Sequence, residues 1–260
     1  IVIVLSLTIM AACGGGGGSV AGGGIGGSGM VASGAGTQKG SVYVNGAIYN
    51  TDTATFTLDD SPGIEDDIRR RMVVRVDGTR DTVITGTASS VVYEDIVEGP
   101  LATPPAQAKI MSLSVLGQTV IVEKGFTYVD DGTVLSPIPL PQTLPNFSTV
   151  TALEVSGLRD ASNVNGAIRA TYIEIKTGLA ENEVKGVVQN ADSTGTPPSF
   201  AIANLTVEAD GSTQFFNEDG SAGAFPTNGV FVEVKGTDFT PGTNTLVATR
   251  IETRTAGLGE

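Results

Sequence analysis

The sequence predicts an all-β chain of three tandem small barrels, and three observations predict it. First, Val74-Arg75-Val76-Asp77-Gly78, Leu153-Glu154-Val155-Ser156-Gly157 and Val232-Glu233-Val234-Lys235-Gly236 each set two apolar residues on alternate positions before a glycine read as a turn. Second, successive glycines in this set stand 79 residues apart, twice. Third, each copy precedes a second strand-like stretch: Ala88-Ser89-Ser90-Val91, Ala170-Thr171-Tyr172-Ile173-Glu174 and Ala248-Thr249-Arg250-Ile251-Glu252. One such hairpin is commonplace in β proteins; two equal steps mark a tandem array.

The order along the chain begins with Ile1 to Ala12, almost wholly apolar and read as a truncated signal peptide ending in Met10-Ala11-Ala12-Cys13-Gly14. Twelve residues are too few for a bilayer core that needs about 20. Cys13 is the only cysteine in 260 residues. It occupies the modified position of a motif resembling the bacterial lipobox, which implies lipid attachment at Cys13 and a membrane anchor. Gly14 rather than Asp follows, and the same resemblance then implies an outer-membrane lipoprotein, periplasmic or surface-exposed. Residues 13–38 complete this region as the lipidated cysteine and a Gly-rich tether with an r.m.s. reach of roughly 25–30 Å. Its G-x-G-x-x-G at Gly24, Gly26 and Gly29 lacks the preceding strand and following helix of a dinucleotide site.

The three units follow at 39–96, 97–178 and 179–256. Alternation predicts five strands in the second: Ile96 to Leu101, Ile110 to Val115, Gln118 to Glu123, Ala152 to Ser156 and Ala167 to Ile175. In the third it predicts Val184 to Gln189, Phe200 to Ala203, Leu205 to Ala209, Val230 to Lys235 and Thr245 to Glu252. Five strands in a unit of this length fit a small OB-like barrel. The first unit adds a helix at the place such barrels carry one: Ser61 caps, Pro62 opens, and Ile64, Ile68 and Met72 share a face. Glu65, Asp66 and Asp67 lie early and Arg69, Arg70 and Arg71 late, matching the helix dipole. Pro137, Pro139, Pro141 and Pro145 forbid a helix in the second unit, and the third fills the gap with a Gly-rich loop around Asp219 to Gly229.

The lipobox, the tether, Gly40-Ser41-Val42-Tyr43-Val44-Asn45-Gly46, Val97-Glu98-Gly99-Pro100, Val115-Leu116-Gly117-Gln118-Thr119-Val120, Val184-Lys185-Gly186-Val187 and Leu246-Val247-Ala248-Thr249-Arg250-Ile251-Glu252 together resemble a family of bacterial lipoproteins with tandem OB-like repeats, catalogued as a domain of unknown function. The resemblance implies a fold and a location, and no activity. The first unit departs from it, with Gly34 to Gly40 where an apolar opening strand belongs. That leaves a sheet edge beside Val42, Val44 and Ile48 for a protein partner or a second copy to fill, unless Met30 to Ser33 folds back onto it.

The chemistry is mostly exclusion. Net charge is −13, which repels nucleic acid. With no histidine, Ser-His-Asp and Cys-His catalysis and ordinary zinc sites lose an essential member. No catalytic, cofactor-binding or metal residue is assigned, no cofactor is expected, and the chain is read as a non-catalytic structural or interaction module. Two alternatives stand beside it. One is a module binding oligosaccharide or, weakly, calcium, through Tyr43, Tyr49, Phe126, Tyr128, Phe215 and Phe216, or through loop acids Asp130, Asp131, Glu218 and Asp219. The other is a carboxylate-dependent hydrolase using Asp59-Asp60, Asp66-Asp67, Asp130-Asp131 or Glu218-Asp219, though adjacent acids are more often hairpin chemistry.

Overall fold

A computed structural model describes residues 27–33, 40–102, 108–132, 144–159 and 165–255. Cys13, most of the tether and Pro137, Pro139 and Pro141 lie outside them. The first unit comprises β1 (Gly27–Ser33), β2 (Ser41–Val44), β3 (Ala47–Asn50), β4 (Thr55–Leu58), β5 (Ser61–Gly63), β6 (Val73–Arg80) and β7 (Thr85–Tyr93). The second has β8 (Val97–Pro100), β9 (Ile110–Val115), β10 (Gln118–Glu123), β11 (Tyr128–Asp130), β12 (Ala152–Arg159) and β13 (Ile168–Lys176). The third has β14 (Asn182–Val187), β15 (Gln189–Asp192), β16 (Ser199–Ile202), β17 (Leu205–Phe216), β18 (Phe231–Gly236), β19 (Asp238–Thr240) and β20 (Thr245–Thr253).

These strands do not close as three separate OB-like barrels. The first unit forms a seven-stranded sheet, while the second and third share one 13-stranded sheet. The joint is β8, which uses both backbone edges: β12 of its own unit lies on one side and β14 of the next on the other. Pairing thus passes from the second repeat into the third, and the sheets form a continuous β-solenoid. One apolar core runs without a break through the second and third units. The core of the first is completed by Tyr128 and Tyr172 of the second, stacked with centroids 5.9 Å apart.

The 79-residue repeat survives as strand chemistry. In every unit the last long strand (β7, β13 or β20) pairs in parallel with an earlier one. The three repeat glycines are not turn residues: Gly78 and Gly157 lie within β6 and β12, and Gly236 ends β18. A Cβ on Gly78 would lie 2.1 Å from the Thr87 carbonyl oxygen, one on Gly157 2.6 Å from that of Arg169, and one on Gly236 2.4 Å from that of Val247. Each carbonyl belongs to the residue immediately before the repeat alanine, Ala88, Ala170 or Ala248. The two halves of the sequence signature are therefore one close backbone contact, which only glycine allows.

Two local expectations in the first unit are corrected. The helix expected from Ser61 to Met72 is a single 3-10 turn, Glu65–Asp67. Ser61, Pro62 and Gly63 are drawn into β5 by antiparallel pairing with Leu58, Thr57 and Phe56, leaving Ile64 exposed while Ile68 and Met72 remain buried. The edge of the sheet is filled within the chain, because β1 pairs antiparallel with both β2 and β6. Residues 27–33 thus leave the tether for the sheet, and no strand from another molecule is needed there.

Candidate functional site

Charged residues meet where the three units join. In the third unit the tetrapeptide Glu-Val-Lys-Gly occurs twice, at Glu183 to Gly186 and Glu233 to Gly236. The copies lie antiparallel against each other, so Glu183 faces Lys235 and Lys185 faces Glu233 across β14 and β18. Between them Val184 and Val234 point into the core, and the charges point to the opposite, equally covered face. Lys185 Nζ lies 3.0 Å from Asp95 Oδ1, 3.8 Å from Glu233 Oε2 and in short contact with Glu183. Its side chain is 3% exposed. Asp95 arrives from the link between β7 and β8, so the first unit meets the third at this lysine.

The first unit reaches the cluster through a hairpin. Asp59 and Asp60 form the two-residue loop between β4 and β5 with φ of 43° and 63°, the left-handed pair of a type I′ turn. Hairpin chemistry is thus part of the explanation for this acidic pair. The rest is long-range: Asp60 accepts from Lys235 at 3.0 Å and Arg254 at 2.9 Å, across 175 and 194 residues of chain. Arg254 also pairs with Glu233 at 2.6 Å. Asp59 Oδ1 accepts the Asp95 backbone N–H at 2.9 Å. Toward the second unit, the Tyr93 hydroxyl donates to Glu154 at 2.7 Å, and Lys176 Nζ lies 2.5 Å from the other oxygen of that carboxylate. Between the hairpin and β12–β13 a cleft of about 380 Å³ is lined by Asp59, Arg69, Tyr93, Glu154, Tyr172 and Lys176, among others.

Carboxyl groups outnumber cations here, and their protonation divides accordingly. Burial pushes Asp95 well above the usual carboxylate range and raises Glu233. Burial, with Glu154 nearby, raises Asp59 to about 7; burial likewise raises Glu98 to about 7. For Glu183, burial is overcome by Lys185 and Lys235, which lower it. For Asp60, burial is overcome by hydrogen bonds from Arg254 and Lys235, which bring it to about 2.

A pH dependence follows. Asp59 and Glu98 bind protons more tightly folded than unfolded, so their contribution is complete below about pH 4 and lost as pH rises through 7. Asp60 and Glu183 act oppositely, their contribution being present above about pH 4 and lost as pH falls toward 2. The thermal midpoint is expected to peak near pH 4 and to fall by several degrees between there and pH 8. Asp59→Asn combined with Glu98→Gln should flatten the alkaline side; a midpoint still falling equally steeply in that variant would assign the dependence to other groups.

Other sequence candidates sit elsewhere. Tyr49 and Tyr128 are buried in the first unit's core, and Tyr43 is half-buried on β2. Phe126 lies under the guanidinium groups of Arg169 and Arg71, at 3.6 and 5.4 Å, so Arg71 joins the first unit to the second. Phe215 packs beside Phe225 and Phe216 lies under Arg250. Asp130 accepts from Tyr172 and Gly132, Glu218 from Thr255, Asp219 from Ser221, and Asp67 from Ile64. These are turn-closing and packing roles. Among the described residues no group of three or more His, Cys, Asp or Glu could hold a metal ion.

Compared with known families, residues 185–252 match the model of a domain of unknown function (DUF5666), a span that runs from Lys185 in β14 to Glu252 in β20. No curated protein and no solved structure matches the chain. The family expected from sequence is corrected accordingly: the match covers the third unit alone, tandem OB-like barrels give way to a continuous solenoid, and no relative carries a lipoprotein or outer-membrane assignment to this chain. What the third unit is similar to is a domain without an assigned activity.

Proposed function

We propose that the chain is a non-catalytic interaction module that holds three β units in one fixed arrangement and presents their combined surface to a partner protein in the cell envelope. The ionic junction carries this reading: Asp60 of the first unit engages Lys235 and Arg254 of the third, and buried Lys185 joins Asp95 to Glu183 and Glu233. Charges buried between repeats fix relative geometry more than they add stability. The test is crosslinking in intact cells, with small-angle scattering on the purified chain beside its Asp60→Ala variant. The expected result is a defined crosslinked partner and a rigid scattering profile that loosens in the variant. A wild-type profile of freely reorienting units would overturn the reading.

Location is part of the proposal and rests on the Cys13 motif. Mass spectrometry of membrane-extracted protein should find an acylated Cys13 at the mature N-terminus. A mature protein that retains Ile1 to Ala12 would refute it. A second reading, binding of a small cationic ligand, is favoured by the acid-lined cleft between the first and second units. A thermal-shift series with calcium, spermidine and sugars separates the two, because a ligand bound only by the native state raises the midpoint.

A further inference from the structure

Three apolar side chains stand in water at one end of the first unit. Val83 and Ile84 form the tip of the hairpin between β6 and β7 and are 82% and 63% exposed; Ile48 on β3 is 48% exposed. They adjoin, since the Ile48 backbone N–H donates to the Ile84 carbonyl at 2.9 Å. The tip is held in shape from within: Thr82 Oγ1 accepts the N–H groups of Ile84 and Thr85, and Arg80 donates to the Val83 carbonyl at 2.7 Å. A rigid tip that offers two consecutive large aliphatic residues is unlike the scattered single exposures normal on soluble surfaces.

The direction of β1 says what faces this tip. Gly27 pairs with Val76 and Met30 with Val73, antiparallel. The N-terminal end of β1 therefore points along β6 toward Arg80 and the Val83–Ile84 tip. The tip lies roughly 20 Å beyond Val76 at about 3.3 Å per residue. Thirteen residues separate Cys13 from Gly27, and a Gly-rich chain of that length also has an r.m.s. span of roughly 20 Å. A lipid on Cys13 is thus tethered within reach of the end of the molecule that carries the exposed tip.

We infer that Ile48, Val83 and Ile84 form a membrane-contact surface, which rests on a lipid bilayer and orients the solenoid with its first unit toward the membrane. The inference builds on the envelope location proposed above, and its test keeps the two apart. The chain has no tryptophan, so Val83→Trp in the full chain is a clean reporter, with Thr243→Trp in the third unit as control. Both proteins are extracted from membranes and reconstituted into phosphatidylethanolamine and phosphatidylglycerol vesicles, and flotation reports anchoring independently. The expected result is blue-shifted emission from the residue-83 reporter, quenched by lipids brominated along their acyl chains, with the residue-243 reporter unshifted and unquenched. Vesicles that float with an unquenched residue-83 reporter overturn the contact while leaving the anchor intact. Blue-shifted but unquenched emission means that protein covers the tip, and also overturns it. Failure to float overturns both proposals.

Discussion

Gly157→Ala is expected to destabilise the chain by about 2–4 kcal/mol, because the added methyl has nowhere to go. Its Cβ would lie 2.6 Å from the Arg169 carbonyl oxygen, 2.9 Å from Ile168 Cγ2 and 3.1 Å from Ala170 Cα. Two of these three neighbours are backbone atoms of β13, which lies at the centre of the second unit between β12 and β10. Relief therefore requires separating β12 from β13, where register already shifts between Ser156 and Gly157. Moving β12 also strains its pairing with β8, the strand that joins the second unit to the third. At about 2–4 °C per kcal/mol for a chain of this size, the midpoint should fall by roughly 5–15 °C. Gly178→Ala is the control, since a Cβ there meets nothing within 4 Å and should stay within about 0.5 kcal/mol of the wild type. If Gly157→Ala melted with the wild type, the repeat glycines would owe their spacing to something other than this contact.

The same glycines show how far the sequence could be read. Period-two alternation was enough to place β9 at Ile110–Val115 and β10 at Gln118–Glu123, because one face of each is buried and the other is not. A glycine after two alternating valines reads locally as a turn, and only the partner strand reveals it as a steric contact. The Ser61-Pro62 helix signal failed for a related reason. Asp59 and Asp60 make a tight left-handed turn, and the strand pairing that turn allows outcompeted a helix with little apolar face to bury. Gly27–Ser33 has poor strand propensity, yet the open position between β2 and β6 gives its backbone groups partners on both sides.

The junction was the least legible part. Asp60 and Arg254 are 194 residues apart, and nothing local distinguishes a carboxylate that will meet a guanidinium from one that stays in water. One signal was available: the duplicated Glu-Val-Lys-Gly, whose charges complement each other only when the copies lie antiparallel. Charge alternating with valine is the pattern of a strand with one solvated face, and here that face is covered by the Asp59–Asp60 hairpin and the Asp95 link.

Lys185→Met is the substitution expected to cost most, about 3–5 kcal/mol near neutral pH. The methionine fills most of the lysine's volume, so what is lost is the charge. Asp95 and Glu183 would then be buried beside each other with Glu233, their side chains 2%, 7% and 1% exposed, and with Lys235 and Arg254 the cations left in reach. The variant's response to acid separates this account from a packing defect. Asp95 and Glu233 already bind protons above the usual carboxylate range, and without the lysine they should bind them more tightly still. Protonation removes the uncompensated charge, so the deficit relative to wild type should shrink as pH is lowered from 8 to 5. Adding Asp95→Asn to Lys185→Met should recover part of the loss, because it removes one of the stranded charges and the two changes then couple rather than add. A deficit that stays constant with pH and is unrelieved by Asp95→Asn would mean that Lys185 fills space at the junction and does not neutralise it.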